Sequence, residues 1–259
     1  MSSKVKYSVK NDIQHVLDCS DVYIGDTGAI TRREYVFSKN KITSRIIDTP
    51  EALIRIFVEV LTNAVDNVER SKNSATPTTA IKINIDPDTG LTSVWNDGQY
   101  IPIIKQKEQS DETDDGEFGE LYIHSLIFGH LRSSSNYGNE EIRELSGKNG
   151  VGVKCTNIFS SWFSVSGTDP SRKLKLTQEW TNNMTQTNGP IIKPYKHKMG
   201  HTEVKYIPDF ARFKCSRYPS DILDLFKKLV VDISALLPNT EFWFCGDLIE
   251  IRDLLTYAR

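Results

Sequence analysis

Between Phe57 and Asn67 the chain reads Phe57-Val58-Glu59-Val60-Leu61-Thr62-Asn63-Ala64-Val65-Asp66-Asn67, a helical run without glycine or proline. At about 100° per residue, Glu59, Asn63, Asp66 and Asn67 share one sector of that helix. Leu53, Phe57, Val60, Leu61, Ala64 and Val68 share another. Whatever fold forms must give the apolar flank a layer to pack on and leave the polar stripe beside an opening. Lys and Arg usually dominate a solvated helix face. A Glu with two Asn suits a site that accepts protons and ligates a hard cation through oxygen, and the ordinary alternative is an amphipathic surface helix.

Around this helix the chain has the material for one large domain or two small ones, with 259 residues of which 38% are hydrophobic. The formal charge is −2, from 32 basic and 34 acidic residues, so no global charge marks a dedicated nucleic-acid or membrane binder. Cys19, Cys155, Cys215 and Cys245 are far apart with no C-x-x-C pair. They read as reduced thiols in a reducing compartment, with no zinc site. The start has no apolar signal core and no run approaches the length of a membrane span, so a soluble intracellular protein without membrane contact is expected.

The first forty-odd residues mix polar segments with strand-like runs at Asp21–Gly25 and Arg33–Phe37 and read as an arm that must lean on something. Asp48 or Thr49 is placed to cap the long helix, with Pro50 at its first position. Beyond it, Ala80–Ile85 alternates as a strand, Asp86–Gly90 turns, and Leu91–Trp95 returns. Residues 106–119 are acidic and read as a surface loop. Helical patterns follow at 121–129, just after Val153 and at 221–236. Strands are expected at 163–165, 174–180 and 202–206, with a closing hairpin at 241–251. Strands do not alternate regularly with crossover helices. The fold class is therefore α+β, a two-layer α/β sandwich with helices on one face of a mixed, mainly antiparallel sheet.

Four segments, taken in order, converge on nucleotide binding. The first is the Glu59/Asn63 stripe. The second is Trp95-Asn96-Asp97-Gly98, a strand ending in polar groups and a glycine turn suited to hydrogen-bonding a flat ring, or else an ordinary turn. The third is Ser133-Ser134-Ser135-Asn136, able to reach ribose and phosphate oxygens, or else a surface loop. The fourth is Gly147-Lys148-Asn149-Gly150-Val151-Gly152-Val153-Lys154, whose glycines let backbone wrap an anion ahead of a helix start, with Lys154 adding a cation. It matches neither the Walker loop nor the dinucleotide fingerprint.

In sequence and order these segments resemble the ATPase domain of eukaryotic-type type IIA DNA topoisomerases, within the GHKL superfamily of gyrase B, Hsp90, histidine kinases and MutL. The superfamily likeness rests on Glu59-x-x-x-Asn63, Asn96-Asp97-Gly98 and Asn149-Gly150-x-Gly152-x-Lys154. The narrower one rests on Phe128-Gly129, Ser134-Ser135-Asn136-Tyr137, Asn157-Ile158-Phe159-Ser160, Tyr23-Ile24-Gly25 and Gln178-Glu179-Trp180-x-x-Asn183-Met184. The resemblance implies ATP and Mg²⁺ as ligands, with Glu59 the general base toward the attacking water and Asn63 the metal ligand. It puts Asn67 near the phosphates and Asn96 at the adenine. Ser134, Ser135 and Asn136 would contact ribose and phosphate, and Gly147, Lys148, Asn149, Gly150, Val151, Gly152, Val153 and Lys154 would form the lid over the triphosphate. Residues 1–45 would be an N-terminal arm and strap that reaches a second subunit when ATP closes a homodimer, and residues 46–259 the ATPase domain. DNA contact would come through the full-length enzyme, in the nucleus or a viral replication compartment.

Three departures mark a divergent lineage, such as that of a large DNA virus. Tyr100 stands where a second glycine is expected, Val151 stands at a usually aromatic position, and the 106–119 loop is long. The transducer and DNA-cleavage domains are expected to lie outside this chain, leaving weak hydrolysis on its own. Alternatives are another GHKL ATPase of the Hsp90 or MutL kind, or a non-hydrolysing nucleotide-gated dimerisation module. The basic clusters at 171–175 and 193–198 read first as solvated faces and second as transient DNA contacts.

Overall fold

The computed structural model describes residues 11–106, 120–131 and 151–258. Two short helices, α1 (Asp12–Asp18) and α2 (Ser20–Tyr23), lead into a two-stranded ribbon of β1 (Ala29–Ser38) and β2 (Lys41–Pro50). The strand expected at 21–25 is instead mostly helix. Its β-branched residues are overridden by a single turn that ends with Ile24 buried in the core. The long helix α3 (Glu51–Ser71) follows directly from β2. The ribbon also corrects the expected cap. Asp48 and Thr49 are held in the ladder opposite Thr31 and Ile30, so Pro50 stands at the N-cap and Glu51 opens the helix. The expected break at 45/46 falls inside β2.

Next come β3 (Ala80–Ile85), β4 (Thr92–Asp97), the short pair β5 (Lys105–Gln106) and β6 (Leu121–Tyr122), and the helices α4 (Ile123–Gly129) and α5 (Gly152–Ile158). The rest of the chain supplies β7 (Ser160–Asp169), β8 (Leu174–Thr181), β9 (Gln186–Pro194), β10 (His201–Pro208), α6 (Ile222–Leu236), β11 (Glu241–Phe244), β12 (Asp247–Leu248) and α7 (Leu254–Tyr257). Eight strands form one sheet in the order β12-β11-β3-β4-β10-β7-β8-β9. The β3–β11 pairing is parallel and the other six are antiparallel. This is the mixed, mainly antiparallel sheet of an α+β sandwich.

One sheet face carries the core, with Ile81, Ile83, Val94, Phe163, Val165, Val204 and Tyr206 against Leu53, Ile56, Phe57, Val60 and Leu61 of α3 and Phe226 and Val230 of α6. The Phe57 and Phe226 rings stack at 4.0 Å, joining the two long helices. The other face, read by period-two alternation from Lys82, Trp95 and Glu203, carries no helix contact in the core cluster among the described residues. The ribbon packs on α6 through Val36, Ile47 and Leu225, and Arg45 reaches Asp221 at 2.6 Å and Asp224 at 3.0 Å. Among the described residues no helix is long and apolar enough to cross a membrane.

Candidate functional site

Helix α3 holds its stripe where the helical layer opens. Its apolar flank is buried, and Asn63 is exposed one turn after the half-exposed Glu59. The Glu59 carboxylate is held from two sides. Arg55 Nε pairs with Oε1 at 2.6 Å, an i,i+4 contact on the helix surface. The other oxygen lies against Gly152 at the start of α5, where an added Cβ would collide with it. Glycine is required there by close approach.

Helix α5 is locked in by side chains that look, in sequence, like motif residues with no assigned task. Thr156 Oγ1 donates to the Ile56 carbonyl of α3 at 2.9 Å, and Asn157 Nδ2 to the Phe128 carbonyl of α4 at 2.9 Å. Asn183 Nδ2 donates to the Ile158 carbonyl at 2.9 Å and to Asp209 at 3.2 Å. Val151 packs at the N-cap, and Val153 is buried in the core. Lys154 is 1% exposed, and burial pushes its ammonium down to about 8, the adjacent Cys155 acting in the opposite direction.

At the far end of the stripe, Asn67 is buried, and its Nδ2 donates to Gln99 O at 2.9 Å and Thr78 Oγ1 at 3.1 Å. Asn67 thereby ties α3 to the turn after β4. Glu59 and Asn67 are two helical turns apart, about 12 Å along the axis. In that turn Gly98 has φ +95 and lies hard against Thr78, a conformation and a space closed to other residues.

Asn96 and Asp97 divide between the two sheet faces. Asn96 lies on the helix-side face with Val94, 6% exposed, its Nδ2 donating to Asp97 O at 2.9 Å. Asp97 faces the other way and accepts from Thr79 N at 2.8 Å, Ala80 N at 2.9 Å and Thr79 Oγ1 at 2.5 Å, closing the start of β3. Directly opposite Asn96 on β10 stands Thr202, on the face that carries Val204 and Tyr206. No local motif singles out Thr202, because only the pairing of two distant strands sets it beside Asn96. Tyr100, standing where a second glycine is expected, has its ring against Gly200, where an added Cβ would collide with it. Gly147, Lys148, Asn149, Gly150, Ser134, Ser135 and Asn136 lie outside the described residues.

The cleft therefore sets a carboxylate and a glycine-led helix start at one end of a stripe, and an amide–hydroxyl pair on the sheet at the other. No family model matches the chain. Relatives do: a DNA topoisomerase 2 of Invertebrate iridescent virus 6 is 49% identical over 261 residues, covering 99% of this chain and 23% of the relative. The DNA topoisomerase 2 of Drosophila melanogaster is 34% identical over 259 residues, covering 99% and 17%. Among solved structures, the ATPase region of Saccharomyces cerevisiae topoisomerase II superposes with a TM-score of 0.87 at 31% identity, over 97% of this chain and 64% of that one.

The chain belongs to the family of DNA topoisomerase II ATPase regions.

A second topoisomerase II structure, the ATPase and transducer domains from Balamuthia mandrillaris, gives a TM-score of 0.88 at 30% identity over 100% of this chain and 64% of that one. The chain spans about a quarter or less of the length of the curated topoisomerases it matches. Identity is higher to the iridovirus topoisomerase than to the Drosophila one.

Proposed function

We propose that this chain is the ATP-binding and ATP-hydrolysing gate of a type IIA topoisomerase, closing a dimeric clamp when it binds Mg·ATP. The observation that carries the reading is the position of Glu59, fixed between Arg55 and Gly152 at the mouth of the cleft. A base acting on water needs its carboxylate oriented before the substrate arrives. In this reading Asn96 and Thr202 hold the adenine at one end, and the α5 start with the Lys154 ammonium receives the phosphates at the other. The residues from Gly147 to Val153, with Ser134, Ser135 and Asn136, close over ribose and phosphates. Asn67, expected near the phosphates, acts in this reading by fixing the Gly98 turn under the base.

The donor set suits Mg²⁺, because the Asn63 amide oxygen is an exposed hard donor one turn from Glu59. The ion, when bound, neutralises charge on the transferring phosphoryl group. The residues preceding 46 serve the homodimer contact, DNA is engaged by the full-length enzyme, and the setting is the nucleus or a viral replication compartment.

Calorimetry with a non-hydrolysable ATP analogue, with and without Mg²⁺, tests the site, and Glu59→Ala tests the chemistry. Glu59→Ala abolishes turnover while analogue affinity stays within about threefold, since a general base acts on the water and not on the bound ground state. Equal losses of affinity and rate would make Glu59 a structural residue and sink the mechanism.

A further inference from the structure

Two basic stretches that are separate in sequence, Arg172-Lys173-Leu174-Lys175 and Lys193-Pro194-Tyr195-Lys196-His197-Lys198, are brought together by the β8–β9 ladder. Lys175 pairs in register with Lys193, Leu174 with Pro194, and Tyr195 N donates to Lys173 O at 2.8 Å. Together they carry six Lys or Arg and no Asp or Glu, in a chain whose net charge is −2. Lys175 lies on the face opposite the buried Leu176 and shares it with Lys193, away from the helices and the cleft, while residues 172–173 and 195–198 continue from the ends of these two strands. The row continues inward through Thr168, opposite Lys175, to His201, whose Nδ1 lies 3.3 Å from Thr168 Oγ1.

Two of the nearby carboxylates are occupied, and Glu179 stands farther along the same face of β8, opposite Ser164. Asp169 is buried and pairs with Arg172 at 3.0 Å, and Glu203 pairs with Lys205 at 3.1 Å. Lys173, Lys175, Lys193, Lys196 and Lys198 have no ion pair with a carboxylate among the described residues. A lysine on an edge strand discourages pairing with another sheet, which accounts for Lys193 but not for Lys196 and Lys198 beyond the strand. Burial lowers the His201 pKa and Lys175 lowers it further, Glu203 opposes the shift, and His197 adds to it.

We propose that this corner of the open sheet face, formed by the β7–β8 turn, β8, β9 and the β9–β10 segment, docks the phosphodiester backbone of double-stranded DNA. The inference rests on the reading of the chain as part of a DNA-handling enzyme and adds a surface to it. Apart from Arg172, the cations of this corner have no carboxylate partner among the described residues, which leaves them open to phosphates. Its tyrosine, Tyr195, is half-buried and held in place rather than standing open as a platform for single-strand stacking. The Tyr195 hydroxyl donates to Met199 O at 2.8 Å, and its ring is flanked by His197 at 5.3 Å and His201 at 6.0 Å.

The test is fluorescence anisotropy of a short labelled duplex titrated with the full chain across a salt series. The Lys196→Gln/Lys198→Gln double variant and the Lys175→Gln/Lys193→Gln double variant are compared with the parent. The expected result is salt-dependent binding by the parent, with each double variant losing about tenfold in affinity and about two units of log–log salt slope. Analogue binding and thermal unfolding stay unchanged, because Lys175 and Lys193 lie on the sheet face away from the cleft and Lys196 and Lys198 are exposed in the segment beyond β9. Duplex binding without analogue binding would support this surface while removing the proposed function. The inference is overturned if the parent fails to bind duplex, or if the variants bind as the parent does. It is also overturned if single strands of equal length bind tighter than duplex, or if polyglutamate outcompetes the duplex at the same residues.

Discussion

Asn96 and Asp97 are chemically near neighbours, yet strand alternation sends them to opposite faces of the sheet, one to the cleft and one to the edge of β3. Removing each therefore has a different signature. Asp97→Ala leaves two backbone N–H groups and a hydroxyl without their acceptor and costs roughly 2–4 kcal/mol, read as a fall in denaturation midpoint. Asn96→Ala costs about 1 kcal/mol in stability, from its one bond to the Asp97 carbonyl, but at least tenfold in ATP-analogue affinity by calorimetry. The reverse pattern would move base recognition to Asp97. From sequence, the Asn-Asp-Gly triplet was visible and its division of labour was not, because which of two adjacent residues faces the cleft depends on the register of β3 and β10. Thr202 was hidden for the same reason.

Among the elements, α5 links the cleft to the body. It is short, and its position comes from Thr156, Asn157 and Asn183 bonding to three other parts of the chain. This placement buries Lys154 and lowers its pKa to about 8. An anionic ligand stabilises the ammonium and raises that pKa in the complex. Analogue affinity is then constant below pH 8 and falls as pH rises above it, with proton uptake on binding that calorimetry in buffers of different ionisation enthalpy detects. Lys154→Gln removes both effects, and an unchanged pH profile in that variant would assign the titration elsewhere. The long helices α3 and α6 and the β3–β4 hairpin were legible because apolar spacing fixes their buried faces. β9 was not, since its residues Gln186-Thr187-Asn188-Gly189-Pro190 are exposed or half-exposed at a sheet edge and carry no alternation. The short helix α2 was misread as strand because β-branched composition speaks for strand, while packing of Ile24 decides the turn.

The molecule as a whole has a helical face built for the cleft and an open sheet face, and its stability at low pH draws on His124, between the layers. His124 of α4 is fully buried over Gly167, and among the described residues neither ring nitrogen has a hydrogen-bond partner. Burial lowers its pKa from 6.5 to about 4, with Asp169, itself engaged by Arg172, opposing the shift. The unfolded chain takes up the proton first, so global stability falls as pH drops from about 6.5 to 4, by on the order of 3 kcal/mol. Denaturant titrations across that range show the slope, and His124→Leu reduces it, leaving the share of His201, whose pKa burial also lowers; a slope unchanged in the variant would place the acid sensitivity on other groups. The β1–β2 ribbon has a different meaning at this scale. Its packing is on α6, its chain runs without a loop into α3, and Phe226 and Phe57 stack between those helices. In mechanical terms the ribbon is a lever with a stiff fulcrum. A load on its tip is carried to Phe57, two residues ahead of Glu59, before any loop can absorb it.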